Sequence, residues 1–208
     1  MENQADLKIN GVINRLEHNG FKAKYFLYRE DAVKYILDNI ATGQTVGIGG
    51  SMTIKTLDLP AKIAERGGVV LDHSTAKSSE ENQKICLAEG RADVFLTSTN
   101  ALTEKGYLVN CDGKGNRVSA MIFGPRRVIL VAGKNKICAD VDEAMDRIVN
   151  LAAAPNAKRL NLSTPCVETG RCMDCNSPDR ICRAYTILKR PSLGMDFTVI
   201  IIGENLGF

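Results

Sequence analysis

Four cysteines fall within seventeen residues, Cys166, Cys172, Cys175 and Cys182, spaced C-x5-C-x2-C-x6-C. The chain holds seven cysteines in all, so more than half sit in this one stretch. Thiolates so close in sequence can meet at one metal centre with little loop-closure cost. The neighbouring residues suit that role. Pro165, Gly170 and Pro178 favour tight turns that aim several sulfurs at a common point. Lys158, Arg159, Arg171, Arg180 and Arg183 supply positive charge, which offsets the negative charge of a four-thiolate zinc site or an oxidised [4Fe–4S] cluster. Three chemistries stay open: disulfides or free thiols, zinc, and iron–sulfur. Disulfides need an oxidising compartment, and the polar start Met1-Glu2-Asn3-Gln4-Ala5-Asp6 has no apolar signal core. A zinc ribbon brings two separated C-x-x-C knuckles, whereas one C-x-x-C with two single cysteines is closer to an iron–sulfur site. The expectation is a [4Fe–4S] cluster, with zinc as the alternative. Cys86, Cys111 and Cys138 read as small core or loop residues outside that centre.

A second set of residues suits a small anionic ligand. Gly49-Gly50-Ser51 follows an apolar strand and precedes a helix, so backbone N–H groups can approach an anion. It is neither a Walker A loop nor G-x-G-x-x-G. Thr97-Ser98-Thr99-Asn100 places short polar side chains at another strand end, with Thr99 and Asn100 as candidate contacts. In Asn110-Cys111-Asp112-Gly113-Lys114-Gly115-Asn116-Arg117 the glycines Gly113 and Gly115 allow a backbone concavity, and Asn116 and Arg117 can reach an anion. Each loop also has a plain reading, as a capped or exposed turn. His73 ends a further strand, and His18 reads as a surface residue on the first helix. No catalytic triad signature is present, and the catalytic residues stay unknown.

These loops need a scaffold that brings them together. Short apolar runs at Gln44 to Ile48, Val69 to Asp72, Asp93 to Leu96, Val128 to Val131 and Phe197 to Ile202 alternate with helical patterns, and further strands are expected at Phe21 to Tyr28 and, short, at Tyr107 to Asn110. Helices are expected near Leu7–Gly20, Glu30–Ile40, from Thr53, over Ser78–Glu89 with Ser78 or Ser79 as N-cap, over Asn116–Phe123, and over Val141–Ala153. In that last helix Val141, Ala144, Met145, Ile148 and Leu151 would face inward. The rhythm predicts an α/β fold with a mostly parallel sheet. The uninterrupted apolar strands at Val128 and Val199 require cover on both faces. Residues 155–196 read as a small cysteine-rich insertion before the last strand, within one domain spanning 1–208.

Composition narrows the partners. The net charge of +3 is small and its signs are interleaved, so no nucleic acid is expected. No apolar run has the length of a membrane span, and the expected address is the cytoplasm. A homo-oligomer stays open.

Val46-Gly47-Ile48-Gly49-Gly50-Ser51-Met52-Thr53, the run from Asp93 to Gly106, the loop from Asn110 to Arg117 and the tail Gly203-Glu204-Asn205-Leu206-Gly207 together resemble the lactate-utilisation (LUD) domain family. The resemblance covers nearly the whole chain. It implies a three-layer α/β/α fold similar to ribose-5-phosphate isomerase, glucosamine-6-phosphate deaminase and coenzyme A transferases. Methylthioribose-1-phosphate isomerase has an acidic residue where this chain has Asn100, which weakens an isomerase reading. Family members are associated with oxidation of L-lactate to pyruvate in iron–sulfur-containing complexes. The resemblance thus implies an iron–sulfur redox accessory that acts on a small hydroxy acid with redox partner subunits. The alternative is a sugar-phosphate or acyl-transfer enzyme in which the cysteine site is structural.

Overall fold

The structure, a computed structural model, describes residues 4–208, with side chains described from Leu7 onward. Two strands organise the core. β7 (Arg127–Gly133) and β10 (Asp196–Ile202) pair in parallel along their whole length. Their alternate residues enter different apolar clusters, as a period of two requires. Ile129, Val131, Ile200 and Ile202 pack with residues of α2 (Arg29–Asp38), α3 (Met52–Thr56) and α4 (Leu59–Glu65). Val128, Leu130, Phe197, Val199 and Ile201 pack with residues of α1 (Gln4–His18) and α6 (Asn116–Ile122). Each fully buried Leu, Ile or Phe here contributes about 1.5–3 kcal/mol.

The sheet is completed by β1 (Lys22–Phe26), β2 (Thr45–Ile48), β3 (Val69–Leu71) and β4 (Val94–Thr97). Its order is β1-β10-β7-β4-β2-β3 and every pairing is parallel. Helices lie on both sides, so the fold is the expected three-layer α/β/α. α5 (Ser79–Glu89) starts at the Ser78 cap, whose hydroxyl accepts from the Glu81 N–H, and ends against β2.

A second sheet, of which the sequence pointed only to the strand at Tyr107 to Asn110, has the order β8-β5-β6-β9. Its strands are β5 (Ala101–Thr103), β6 (Leu108–Asp112), β8 (Ile137–Cys138) and β9 (Ala184–Leu188). β5, β8 and β9 are too short or too mixed to show a period in the sequence. α7 (Val141–Arg147) covers this sheet through Ala144. Beyond it the helix winds through a π turn at Ile148–Ala152 and continues as α8 (Ala153–Arg159). This corrects the helical face read from the sequence. The extra residue per turn rotates Leu151 outward to 62% exposure, while Ala152, Ala153 and Ala157 turn inward.

Residues 155–196 are tied more firmly than an insertion needs to be. α9 (Pro165–Thr169) follows α8, and β9 pairs antiparallel with β6 from Leu108↔Leu188 to Asp112↔Ala184. No helix among the described residues is long and apolar enough to cross a membrane.

Candidate functional site

Because the large sheet is parallel, all its strands end on one edge. From β2 the chain moves outward to β3, then returns to β4 on the other side of β2. That reversal opens a crevice beyond the ends of β2 and β4, where ligands bind in folds of this kind. The Gly49-Gly50-Ser51 turn and the Thr97–Asn100 loop meet there. Gly49 donates its N–H to the Leu96 carbonyl at 3.0 Å. A Cβ on Gly49 would stand 2.6 Å from Thr97 Oγ1, so only glycine fits. Gly50 is exposed and faces the ring of His73, whose Nε2 would lie 3.2 Å from a Cβ placed there. Ser51 caps α3 through the Ile54 N–H.

Several residues expected to face the ligand are turned inward. Thr99 is buried, and its hydroxyl engages the Ala101 and Val109 carbonyls and Asn110 Oδ1. Asn100 Oδ1 accepts from the Cys111 N–H and from Arg117. The Arg117 guanidinium grips Asp112 Oδ1 at 2.6 Å, Asn110 Oδ1 at 2.7 Å and the Ser98 carbonyl at 2.9 Å. It fastens the β4–β5 loop to β6, and its donors are occupied. The sequence showed a cation beside glycines but not the buried Asp112 that claims it. Gly113 approaches Ile181 of the cysteine segment, and Gly115 adopts φ +81 before α6. Asn116 points to the crevice side, with Nδ2 3.6 Å from Cys86 Sγ. Lys114 is exposed and bonds Asn82 Oδ1 at 2.7 Å.

Three residues at this edge were not singled out from the sequence. Lys136 is buried, and its Nζ lies 3.0 Å from Thr53 Oγ1, 2.9 Å from Ser98 Oγ and 3.0 Å from the Thr99 carbonyl. Loss of water, reinforced by the charges of Arg147 and Arg117, pulls its amine down to about 7. The tail seals it, since Asn135 Oδ1 holds the Leu206 N–H and Gly207 packs on Thr53. A lysine in the run Lys134-Asn135-Lys136 gives no local sign of burial; only the returning tail creates it.

Glu89 is 1% exposed, and it grips His73 twice: Oε1 accepts from the backbone N–H at 2.8 Å and lies 2.8 Å from ring Nδ1. That hydrogen bond raises the imidazole pKa despite burial, and Lys114 works against it. Gly47 makes the arrangement possible, because a Cβ there would stand 2.6 Å from the Glu89 carbonyl. Cys86 lies one turn before Glu89 on the same face of α5. The i, i+3 spacing of Cys86 and Glu89 was the available signal.

The cysteine segment forms a knot bound by its own side chains. Ser163 N–H donates to Asp179 at 3.0 Å, and Ser177 Oγ to the Ser163 carbonyl at 3.2 Å. Arg180 reaches the carbonyls of Cys175 at 2.6 Å and Cys182 at 2.9 Å. Cys166, Cys172, Cys175 and Cys182 are all half-buried free thiols. Cys182 accepts hydrogen bonds from Cys111 and Tyr185 and, with Arg180 nearby, falls to about 6, while Cys111 is pushed upward. Cys111 therefore stands against the segment, and Cys138 is in the core. The donor set suits a soft, thiolate-ligated centre. Among the described residues, no three of these sulfurs lie within 4.8 Å of one another. A single tetrahedral zinc with bonds of about 2.3 Å needs its sulfurs closer, at about 3.8 Å.

Comparison with known proteins follows this geometry. A DUF162 family protein from Deinococcus radiodurans shares the fold with a TM-score of 0.55 at 16% identity, covering 97% of this chain and 100% of that one. The eIF2B delta and eIF2B-beta2-delta2 structures from Chaetomium thermophilum give TM-scores of 0.37 and 0.43 at 15% and 16% identity. They cover 67% and 93% of this chain, and 56% and 58% of theirs. No curated protein sequence matches. The LUD domain family model matches residues 9–202, and the chain belongs to that family.

Proposed function

We propose that this protein is an iron–sulfur redox accessory of the lactate-utilisation type, binding a small hydroxy acid at the crevice between β2 and β4. Cys166, Cys172, Cys175 and Cys182 would hold a [4Fe–4S] cluster, which when bound carries single electrons. The observation that carries the reading is the pairing, in one LUD domain, of a sheet-edge crevice with four half-buried free cysteines in one short segment. The sequence has no flavin or nicotinamide motif, so redox partner subunits would exchange the electrons.

The chain's own residues define the ligand. α3 is only five residues long and adds little dipole. Charge for a carboxylate comes from Lys114 and from His73. Gly50 leaves the space, and Asn116 offers a hydrogen-bond donor. Calorimetry with L-lactate and other 2-hydroxy acids tests this. Binding is expected in the native protein and should fall at least about tenfold in Gly50→Val, whose side chain would press on His73. Unchanged binding in Gly50→Val would overturn the site. Tighter binding of a sugar phosphate would favour the enzyme alternative.

A further inference from the structure

Apart from the cysteine knot, a group of metal-ligating side chains gathers behind the crevice. One ring nitrogen of His73, Sγ of Cys86 and a carboxylate oxygen of Glu89 all lie within 4.8 Å of one another. The closest pair is His73 Nδ1 and Glu89, at 2.8 Å to Oε1 and 3.0 Å to Oε2. Two ligands on one tetrahedral ion at bonds of about 2.0–2.1 Å sit about 3.3 Å apart, so this spacing needs little change to chelate. We propose that His73, Cys86 and Glu89 form a second metal site, specific for a borderline divalent ion such as zinc or cobalt.

The donor set fixes the class of ion. One imidazole, one thiolate and one carboxylate match the nitrogen, sulfur and oxygen ligands of zinc and are too soft for magnesium or calcium. Three protein ligands leave a fourth position open, as in catalytic rather than structural zinc sites.

The surroundings are built around these three groups. Glu89 is a nearly fully buried carboxylate whose hydrogen-bond partners are both on His73. A buried carboxylate needs compensating positive charge. A protonated His73 ring would supply it in the metal-free chain, and a divalent ion would supply it more strongly. Asn82 holds the His73 carbonyl at 2.9 Å and fixes the loop that carries the ring. Asn82 and Asn116 bracket Cys86 Sγ at 3.8 Å and 3.6 Å. Gly47 lets Glu89 approach β2. The other charges nearby are Asp72, which favours a cation, and Lys114, which opposes one and is held by Asn82. Lys114 is exposed, so an anionic ligand in the crevice can neutralise it.

Cobalt(II) titration of the protein tests the assignment, in a background where Cys166, Cys172, Cys175 and Cys182 are serine so that the knot cannot contribute. One equivalent of cobalt is expected to bind, with visible bands of a tetrahedral ion and a near-ultraviolet sulfur-to-cobalt band. Cys86→Ser should abolish the sulfur band, and His73→Gln should weaken affinity at least about tenfold. Cys86→Ser keeps size and hydrogen bonding, so it tests the ligand without disturbing the fold. A sulfur band that persists in Cys86→Ser, or no cobalt spectrum in the background protein, overturns the proposal. The iron–sulfur reading is untouched by either result, because it rests on the other four cysteines.

Discussion

At Arg117 the sequence pointed one way and the structure another. A cation just after two glycines suggested an anion ligand, yet its guanidinium is occupied by Asp112, Asn110, Asn100 and two carbonyls. What decided this was a buried carboxylate five residues upstream, which spacing alone does not expose. Removing one partner of a buried pair strands the other charge, at a cost of about 3–5 kcal/mol. Arg117→Ala should therefore lower stability by roughly that amount in denaturant unfolding. A stable Arg117→Ala protein that merely binds its ligand less well would restore the original reading. Lys136 supplies a second test. Its amine titrates near about 7 in the fold and near the ordinary value of 10.5 when unfolded. Between those values the unfolded chain binds a proton that the native chain does not, so stability rises with pH across that window. Unfolding curves from about pH 6 to about pH 10 should show this rise in the native protein and lose it in Lys136→Met. An identical pH profile for both would contradict the assignment.

Among the elements, the large sheet was legible because each strand carries a strong local pattern. Apart from Thr198, β7 and β10 are apolar at every buried position, which requires helices on both faces. The long helix at Val141 was legible too, but not its register. Sequence spacing assumes 3.6 residues per turn, and the π turn at Ile148–Ala152 breaks that assumption. The change is testable: Leu151→Gln should alter stability by less than about 0.5 kcal/mol. Ala152→Leu should cost about 1–3 kcal/mol by overpacking. The reverse ranking would place Leu151 inside. β5, β8 and β9 of the second sheet escaped notice because they gain their stability from neighbours far away in sequence. β9 also bears on what metal loss would do. Residues 163–183 rely on side-chain ties and thiolates, whereas β9 is held by five residue pairings to β6. Chelation should raise amide exchange across the cysteine knot and leave β9 protected. Cooperative unfolding of the whole chain on chelation would sink this.

For the molecule as a whole, the fold explains why chemistry gathers at one edge. A parallel sheet whose order reverses at β2 sends the Gly49–Ser51 turn, His73, the Thr97–Asn100 loop and the closing tail to the same place. The glycine turn and the four cysteines were visible as local signals. Glu89, Cys86 and Lys136 were not singled out, because their roles depend on a helix end meeting a strand and a tail folding back. The central claim is that the four clustered cysteines carry an iron–sulfur centre in a LUD domain. The most direct measurement is the spectrum and the iron, sulfide and zinc content of anaerobically purified protein. A broad band near ~400 nm that bleaches on reduction is expected, with roughly four irons per chain, both lost in Cys172→Ser/Cys175→Ser. A colourless protein with stoichiometric zinc, or a metal content unchanged by that double substitution, would contradict it.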